Sequence, residues 1–470
     1  MIGPDAHYYY FFYFSFDKDV QSDDWDCLVL SLIPSKLPLE AGPTHCGSGI
    51  HSSAFSAPSA GQVTLRSWKI TREGLVEIPA GVVMGNFLEK PLTNKTHSAG
   101  QGNGLRYGFS SMQGWRLEME DAHILETSMS DTEPFKDWSF FAVFDGHSGK
   151  ATADDAATHL LKTLMDTEQF QKITEMLKTS EGVLTPTCLQ LLEEGIKCGF
   201  LLLDENLRTK NNVKNKSGCT AISAIITPTH IIIANLGDSR AVLVRKEGPP
   251  LGTEDHKPYN EKERKRIEKA GGYVMIQRIN GTLAVSRALG DYDFKSVEGL
   301  EASLQLVSPE PDVYVIERDY KQDEFLLLAC DGIYDVMNNA ELATFVRARF
   351  SVEPDLAEVC DSLLDHCLMK ESRDNMTAIV LAFDEAPKID QEKVSLEEDW
   401  VKAVTSNIDK VLDVETSDPQ YVPGQSTLCV EHILKKFLDL PSLPSIETLP
   451  DFRVKEIIAK VMNRRNVKSL

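Results

Sequence analysis

Apolar and polar positions between Leu105 and Phe383 predict a domain built from core strands and helices. Short apolar runs bounded by turn residues are long enough for buried strands. The predicted strands are Trp138–Phe144, Thr220–Ile226, Ile231–Leu236, Ala241–Val244, Phe325–Cys330 and Met376–Phe383. Apolar residues spaced by about 3.6 positions predict helices elsewhere. These are Lys150–Met165, Thr187–Asn206, Ala340–Phe350 and Leu356–Met369.

A strongly charged helix is predicted over Lys257–Lys269, ending at Gly271-Gly272. Its Lys and Arg side chains would attract a phosphorylated substrate, although a solvated helix face explains them more simply. Further along the chain, Asn280-Gly281 has the residue chemistry of a tight hairpin.

The chain changes character after Pro387, where three helices joined by Pro-containing loops are predicted. They are Val394–Leu412, Thr427–Leu438 and Arg453–Asn463. Because no cluster of candidate catalytic residues lies there, we interpret residues 389–470 as a separate helical subdomain and residues 84–388 as the main domain.

Residues 1–83 differ from the rest and predict a poorly ordered extension. The aromatic run Tyr8–Phe16 has no basic segment before it and no small-residue cleavage site after it, which is not typical of a signal peptide. The residues up to Val83 are rich in Ser, Gly, Pro and Ala. If translation began at Met84, Gly85 would be open to myristoylation and membrane association, although Glu89 departs from the simple acceptor pattern.

Composition narrows the function classes. Hydrophobic residues make up 42% and charged residues 26% of the 470 positions, which is ordinary for a globular protein. The net charge of -22 argues against nucleic-acid binding and suits a protein that concentrates divalent cations, although it also promotes solubility. Nine scattered cysteines without a C-x-x-C pair indicate a reducing intracellular compartment. No apolar stretch reaches the roughly 20 residues of a membrane helix.

Acidic residues lie at the ends of three predicted core strands. Asp145-Gly146-His147 follows the first, Asp331-Gly332 follows the second, and Asp374 precedes the third. Asp-Gly is a common turn, and one such turn alone would favour that explanation. With three of them, and a fourth acidic cluster at Glu118, Glu120 and Asp121, we predict a shared site.

Carboxylates and a glycine carbonyl are hard oxygen ligands that suit Mg²⁺ or Mn²⁺, and the lack of a Cys/His cluster argues against zinc. Gly146 has no side chain to keep its carbonyl away from a cation. Asp145 is predicted to bridge two ions about 3.5 to 4 Å apart, which would turn a shared water into a nucleophile. Such a centre hydrolyses phosphate esters without a covalent enzyme intermediate.

Two further side chains complete the predicted chemistry. Arg116 matches two phosphate oxygens with its planar guanidinium, although an ion pair with Glu118 or Glu120 would also explain it. His147 would protonate the leaving alkoxide, although a lone histidine is more often structural.

These residues, in this order, resemble the PP2C (PPM) family of metal-dependent protein serine/threonine phosphatases. The matching segments are Ser110–His123, Phe140–Gly149, Ser217–Ala221, Asn235–Arg240, Asp255–Pro258, Val285–Asp291, Ala329–Asp335 and Ser372–Thr377. The segment M-G-N-F-L-E-K-P (Met84–Pro91) and the C-terminal helices are most similar to the alpha and beta members of the animal branch.

The resemblance implies an α+β fold, a four-layer α-β-β-α sandwich of two antiparallel sheets flanked by helices, with the C-terminal helical subdomain added. It implies that Asp145 bridges both metals, that Gly146 offers its carbonyl to one, and that Asp331 and Asp374 hold the other. It also implies that Glu120 and Asp121 act mainly through metal-bound water. Asp238, together with Asp331, is implied to hold a third, weaker ion. The charged helix and the Asn280-Gly281 turn would form the family's flap beside the cleft.

Three departures from the family pattern are visible: Tyr334 in place of Trp, Cys219 in place of Ser, and the long N-terminal extension. Neither substitution removes a predicted ligand. The extension puts the N-terminal lipid in question.

The leading hypothesis is a Mg²⁺/Mn²⁺-dependent phosphatase acting on phosphoserine and phosphothreonine in proteins. The alternative is a non-catalytic pseudophosphatase that binds partner proteins; it predicts lost acidic ligands, and none is lost. A metal-dependent nuclease is disfavoured by the acidity. We expect a monomer in the cytoplasm, with the nucleus as a second location, that binds phosphorylated proteins and no nucleic acid.

Overall fold

The computed structural model describes residues 67–71, 74–78, 87–180, 182–210, 216–419, 421–422, 427–438, 440 and 451–469. Strands and helices over these residues divide between two compact units, Met1–Phe87 and Leu88–Leu470. The first unit contributes an antiparallel hairpin of Ser67–Thr71 and Gly74–Ile78. The rest of the predicted extension, together with Met84 and Gly85, lies outside the described residues.

The strands are mostly short and pair mainly in antiparallel fashion, with β19–β20 as a parallel pair. In chain order they are β1 (Ser67–Thr71), β2 (Gly74–Ile78), β3 (Phe87–Gly102), β4 (Leu105–Arg116), β5 (Ala122–Glu126), β6 (Ser139–Phe144), β7 (Gly146–His147), β8 (Gly218–Cys219), β9 (Ala221–Ile226), β10 (His230–Leu236), β11 (Arg240–Arg245), β12 (Leu251–Gly252), β13 (Val274–Met275), β14 (Arg278–Ile279), β15 (Leu289–Gly290), β16 (Asp312–Glu317), β17 (Asp323–Ala329), β18 (Met376–Ala382), β19 (Thr427–Leu428) and β20 (Lys468–Ser469).

The helices fall into three groups along the chain. In order they are α1 (Ala151–Met165), α2 (Glu168–Thr179), α3 (Pro186–Lys210), α4 (Glu261–Lys269), α5 (Asp331–Tyr334), α6 (Asn339–Phe350), α7 (Leu356–Met369), α8 (Gln391–Thr416), α9 (Val430–Leu438) and α10 (Asp451–Arg464). Among the described residues, no helix is both long enough and apolar enough to cross a membrane.

Two antiparallel sheets form the centre of the second unit. One has the strand order β16-β10-β9-β6-β5 and the other β12-β11-β17-β18-β4-β3. One apolar cluster lies between the sheets, a second packs the first sheet against α1–α3, and a third packs the other sheet against α5–α7. The predicted α-β-β-α sandwich is therefore confirmed.

Strand β6 shows why the core strands read as continuous apolar runs. Phe140 and Ala142 belong to the cluster on the helix side, whereas Phe141 and Val143 belong to the cluster between the sheets. Successive side chains of a strand point to opposite faces and both faces are buried here, so Phe140–Phe144 is a continuous apolar run.

The predicted flap is a small unit with its own apolar cluster around α4. Asn280-Gly281 does form a turn, since the Ile279 nitrogen donates to the Leu283 oxygen at 2.8 Å across it. The two-residue turn of the hairpin β13–β14 lies earlier, at Ile276 and Gln277, which both have positive φ. Asn280 instead joins the open ends of that hairpin, because its Oδ1 accepts a hydrogen bond from the Tyr273 nitrogen.

The C-terminal helices α8, α9 and α10 form as predicted and pack around a separate apolar cluster that includes Trp400, Ile408 and Ile458. Helix α8 begins where the Asp390 side chain accepts hydrogen bonds from the first-turn nitrogens. It is joined to α6 by an ion pair between Arg349 and Glu397, 2.8 Å long and largely buried.

Candidate active site

The acidic residues predicted to meet do lie at one end of the sandwich. Asp145 directly follows β6, and Asp331 comes two residues after the end of β17. Strand β18 is antiparallel to β17, with Ala378 opposite Ala329, so Asp374, just before β18, reaches the same end. Antiparallel pairing thus brings together residues that are far apart in the sequence.

Asp121 joins this group through the neighbouring strand β5. Ala122 lies opposite Phe144 in the pair β5–β6, which places Asp121 beside Asp145. One ligand atom each from Asp121, Asp145 and Cys330 lies within 4.8 Å of the others. The Asp121 Oδ2 atom accepts a 2.6 Å hydrogen bond from the Thr377 hydroxyl.

The cluster is electrostatically strained as a set of bare carboxylates. Burial raises the pKa of Asp145 and Asp331 well above the usual carboxyl range, and the neighbouring carboxylates raise both further. Burial likewise raises the pKa of Asp121 to about 7, although the hydrogen bond from Thr377 lowers it. Buried like charges of this kind are stabilised by a cation placed among them.

Asp121 provides a direct test of whether a metal ion fits here. Its Oδ1 atom is buried and has no hydrogen-bond partner in the part of the chain that the structure describes. A buried carboxylate oxygen without a partner costs free energy unless something positive or protic reaches it. The residues therefore fit a hard divalent cation.

Gly146 is required by the close approach of two backbone segments. A Cβ atom at this position would lie 2.3 Å from the backbone oxygen of Glu120. A larger residue would therefore displace the segment that holds Glu120 and Asp121 beside Asp145.

Glu120 is held by two hydrogen bonds at the edge of the cluster. Its Oε1 atom accepts from the Gly149 nitrogen at 2.5 Å, and its backbone nitrogen donates to Asn375 Oδ1 at 2.9 Å. The Asn375 amide also donates to the backbone oxygens of Gln113 and Glu118. Asn375, which directly follows Asp374, thus joins the loop before β5 to the segment before β18.

Arg116 contacts the cluster rather than its neighbours in the sequence. Its Nε atom donates to Asp374 Oδ1 at 2.7 Å, so the alternative ion pair with Glu118 or Glu120 does not form. Neither Nη atom of Arg116 has a hydrogen-bond partner among the described residues. The side chain is 34% exposed and can meet a ligand from solvent.

His147 pairs with a residue that the sequence did not single out. Its Nε2 atom lies 2.7 Å from Asp291 Oδ2, and the Asp291 side chain is only 5% exposed. Burial alone would lower the pKa of His147, but the hydrogen bond and charge of Asp291 outweigh it and raise the pKa. Gly218 leaves room for this pair, because a Cβ atom there would lie 2.2 Å from Asp291 Oδ2.

Asp238 also faces the cluster, from the turn that follows β10. Burial is the largest cause of the raised pKa of Asp145 and of Asp331, and the charge of Asp238 raises both further. Its Oδ2 atom accepts a hydrogen bond from the Lys257 ammonium.

The two substitutions in the family pattern lie next to the site without occupying it. Cys219 is fully buried in β8, opposite Gly146. The Tyr334 hydroxyl donates to the Arg240 backbone oxygen at 3.1 Å, and the Arg240 guanidinium lies 4.4 Å from the Tyr334 ring centroid.

Sequence reasoning missed the residues that orient the predicted ligands, namely Asp291, Asn375, Thr377 and Lys257. Each lies in one of the segments that match the family, but none stands at the end of an apolar run in a Gly turn. The usable signal was position within a motif, for example Asp291 at the end of Val285–Asp291.

A sandwich of two antiparallel sheets with buried carboxylates at one end defines a candidate cation-dependent hydrolase. The family model described as protein phosphatase 2C matches residues 105–376. Protein phosphatase ppm-1.A of Caenorhabditis elegans is 53% identical over 404 residues, which cover 86% of this chain and 86% of that protein. Protein phosphatase 1A of Bos taurus is 45% identical over 387 residues, which cover 82% of this chain and 96% of that protein.

A solved structure of a phosphatase from a pathogenic strain of Toxoplasma gondii has a TM-score of 0.52 and 27% sequence identity, covering 62% of this chain and 96% of that chain. The chain belongs to the protein phosphatase 2C family, a metal-dependent family, and is a protein phosphatase close to the animal alpha and beta members.

Proposed function

We propose that this protein hydrolyses phosphoserine and phosphothreonine in proteins by direct attack of water, with Mg²⁺ or Mn²⁺ and without a covalent enzyme intermediate. The observation that supports this most strongly is the convergence of Asp121, Asp145, Asp331 and Asp374 at one end of the sandwich, where a buried Asp121 oxygen has no partner among the described residues.

The donor set suggests how the ions would be held. Asp145 would bridge two ions, the Gly146 carbonyl would bind one, and Asp331 and Asp374 would bind the other. Glu120 and Asp121 would act mainly through metal-bound water. Asp238, together with Asp331, would hold a third, weaker ion. When bound, such ions would activate a water molecule and neutralise phosphate charge.

Arg116 would bind and orient the substrate phosphate. Its Nε atom is fixed by Asp374, and its two Nη atoms remain available as donors. A planar guanidinium fixed at one atom presents its other donors in a defined direction, which suits two oxygens of a phosphomonoester.

His147 would supply the proton that the leaving serine or threonine oxygen needs. Its Nε2 atom is engaged by Asp291, which leaves Nδ1 to donate. Asp291 raises the pKa of the imidazole, which favours the protonated form that a general acid requires.

The proposal is tested by replacing Asp331 with Asn. Removing one charged ligand should nearly abolish Mn²⁺-dependent phosphate release from a phosphothreonine peptide while the fold, measured by circular dichroism, is kept. Asp384→Asn is a matched control, because Asp384 is exposed just beyond the opposite end of β18 from Asp374. It should behave as wild type.

Wild-type turnover in Asp331→Asn would remove that residue from the site. No metal-dependent release from the unmodified protein would favour the non-catalytic alternative.

A further inference from the structure

Lys257 is the basic side chain that enters the acidic cluster from the flap side. Its ammonium donates a hydrogen bond to Asp238 Oδ2. The Asp238 side chain is only 4% exposed, and that of Lys257 is 22% exposed. The contact is therefore a largely buried ion pair, not a surface one.

The backbone fixes Lys257 in this position. His256, the residue before it, donates its backbone nitrogen to the Gly237 oxygen at 2.8 Å. In return, His256 Nδ1 accepts from the Gly237 nitrogen at 3.1 Å. Gly237 directly precedes Asp238, so the two partners of the ion pair stand on segments that are hydrogen-bonded to each other.

A second anchor holds the other side of the same segment. Arg240 donates from Nε and Nη2 to the two carboxylate oxygens of Asp255, at 2.9 Å each. Arg240 also donates to Asn339 Oδ1 at 2.7 Å. Because Asp255 lies two residues before Lys257, this bidentate contact limits how far the lysine segment can move.

The Lys257 ammonium carries a positive charge at neutral pH, as a lysine side chain ordinarily does. It lies in direct contact with the nearly buried Asp238 carboxylate. Lys257 is thus the positive charge that this part of the cluster already possesses.

We propose that Lys257 is a tethered cation that occupies the Asp238 carboxylate, and that a divalent ion binds to Asp238 only after the ammonium has moved away. This inference rests on the proposed metal-dependent function but concerns a different question, namely which ions compete. A group tethered next to its partner has a high effective concentration, so it competes well against a free ion of higher charge. The proposal predicts that Lys257 weakens the binding of a divalent ion at Asp238.

Two other roles for Lys257 make different predictions. If the lysine only fastens the flap, its loss should lower thermal stability and leave ion binding unchanged. If it binds the substrate phosphate, its loss should raise KM for a phosphopeptide, again with unchanged ion binding. Only a competing cation predicts that ion binding becomes tighter when the lysine charge is removed.

The experiment compares Mn²⁺ binding to the full-length wild type and to Lys257→Gln, by titration calorimetry and by electron paramagnetic resonance of free Mn²⁺. In Lys257→Gln we expect the weakest bound ion to tighten by about tenfold or more, because a positive charge a few ångströms away has been removed. The gain should vanish in Lys257→Gln combined with Asp238→Asn. Lys257→Arg, which keeps the charge, should bind Mn²⁺ like wild type.

Lys262→Gln is the matched control. Lys262 is also on the flap, but it is 72% exposed and pairs with Asp312, so its removal should leave Mn²⁺ binding unchanged.

Unchanged Mn²⁺ stoichiometry and affinity in folded Lys257→Gln would overturn the inference, and a raised KM beside them would assign the lysine to the substrate. If two ions bind in every variant but the weakest ion binds no more tightly in Lys257→Gln, the proposed metal centre is retained and only the inference about Lys257 is overturned. Absence of Mn²⁺ binding in all variants would overturn the proposed metal centre as well.

Discussion

Asp291 orients the imidazole on which proton transfer is proposed to depend. It is nearly buried, its Oδ2 atom lies 2.7 Å from His147 Nε2, and its backbone is left-handed with φ of 51°. Asn tolerates that conformation, so Asp291→Asn removes the charge with little backbone strain. The variant isolates the electrostatic part of the contact.

We expect Asp291→Asn to lower kcat for a phosphopeptide by about 10- to 100-fold. Without the carboxylate the pKa of His147 falls, so its protonated form is lost at lower pH and the alkaline limb of the kcat profile moves to lower pH. The measurement is kcat against pH with saturating Mn²⁺. Asp293→Asn is the control, since Asp293 is 72% exposed and pairs only peripherally with Lys216. An unmoved alkaline limb in folded Asp291→Asn would separate His147 from the proton transfer.

At this scale the sequence predicted the residues whose position is determined locally. Asp145, Asp331 and Asp374 each stand at the end of a run of apolar residues, and strand pairing then brings them together. Asp291 could not be assigned to His147 in this way, because the two are 144 positions apart and meet only through the small sheet of β7, β8 and β15. The contact of Lys257 with Asp238 likewise depends on how two loops are hydrogen-bonded to each other.

Within the flap, helix α4 is fastened to the segment that contains Ser286 and Arg287 by a buried carboxylate. Glu263 is 2% exposed, and its oxygens accept hydrogen bonds from Arg287, Arg266 and Ser286. Burial would raise the pKa of Glu263, but the arginines outweigh it and lower the pKa to about 2 from an ordinary value of 4.5. The ionised side chain is therefore a structural part of the flap.

Replacing Glu263 with Gln should destabilise the protein at pH 7 by about 3 kcal/mol, the free energy that corresponds to this pKa depression. Because the folded-state pKa is depressed, the contribution is complete above the unfolded pKa near 4.5 and is lost as the pH falls towards about 2. Urea unfolding of wild type and variant should show a difference that narrows below about pH 4.5.

Glu261→Gln provides the comparison on the same helix, since Glu261 is 82% exposed and should contribute little. An equal effect of both substitutions would show that the buried pairing with the arginines does not fasten the flap.

Helix boundaries show which local signals were sufficient. The charged helix begins at Glu261 and not at Lys257, since Pro258 disfavours a helical conformation at the residue before it. Helix α2 (Glu168–Thr179) was not predicted, although Phe170, Ile173 and Leu177 have helical spacing and are all buried. The sequence signal for α2 is weak because it consists of only these three apolar residues in a polar segment.

At the scale of the whole molecule, the resemblance supplied what periodicity could not. Apolar runs predicted strands but gave no pairing, because a strand buried on both faces has no polar face to set its neighbours. The observed order β12-β11-β17-β18-β4-β3 places β4 next to β18, at the other end of the domain sequence. The resemblance implied two antiparallel sheets, but the pairing of β4 with β18 was not predicted.

The division between the sandwich and the C-terminal helices is a prediction that the core packing makes testable. The apolar cluster of α8–α10 contains buried residues only from Trp400 onwards, and none of the clusters within the sandwich contains a residue from this region. The described polar links to the sandwich include Arg349 with Glu397, and the Asp390 nitrogen with the Ser351 oxygen at 2.8 Å. Helix α10 also contacts α7.

A chain that ends at residue 388 should therefore fold and keep Mn²⁺-dependent hydrolysis of a phosphopeptide, with kcat/KM changed by no more than about threefold, a difference below 1 kcal/mol. It should unfold at a lower temperature, because the covering of α6 is lost. Full-length Glu397→Gln should also be destabilised, since it leaves the Arg349 charge buried without its carboxylate, whereas in the shortened chain water can reach that guanidinium. Differential scanning calorimetry and phosphate release would be measured on all three proteins. A shortened chain that keeps its fold but loses hydrolysis would show that the helices complete the active site, and the proposed boundary at residue 389 would then be wrong as a functional boundary.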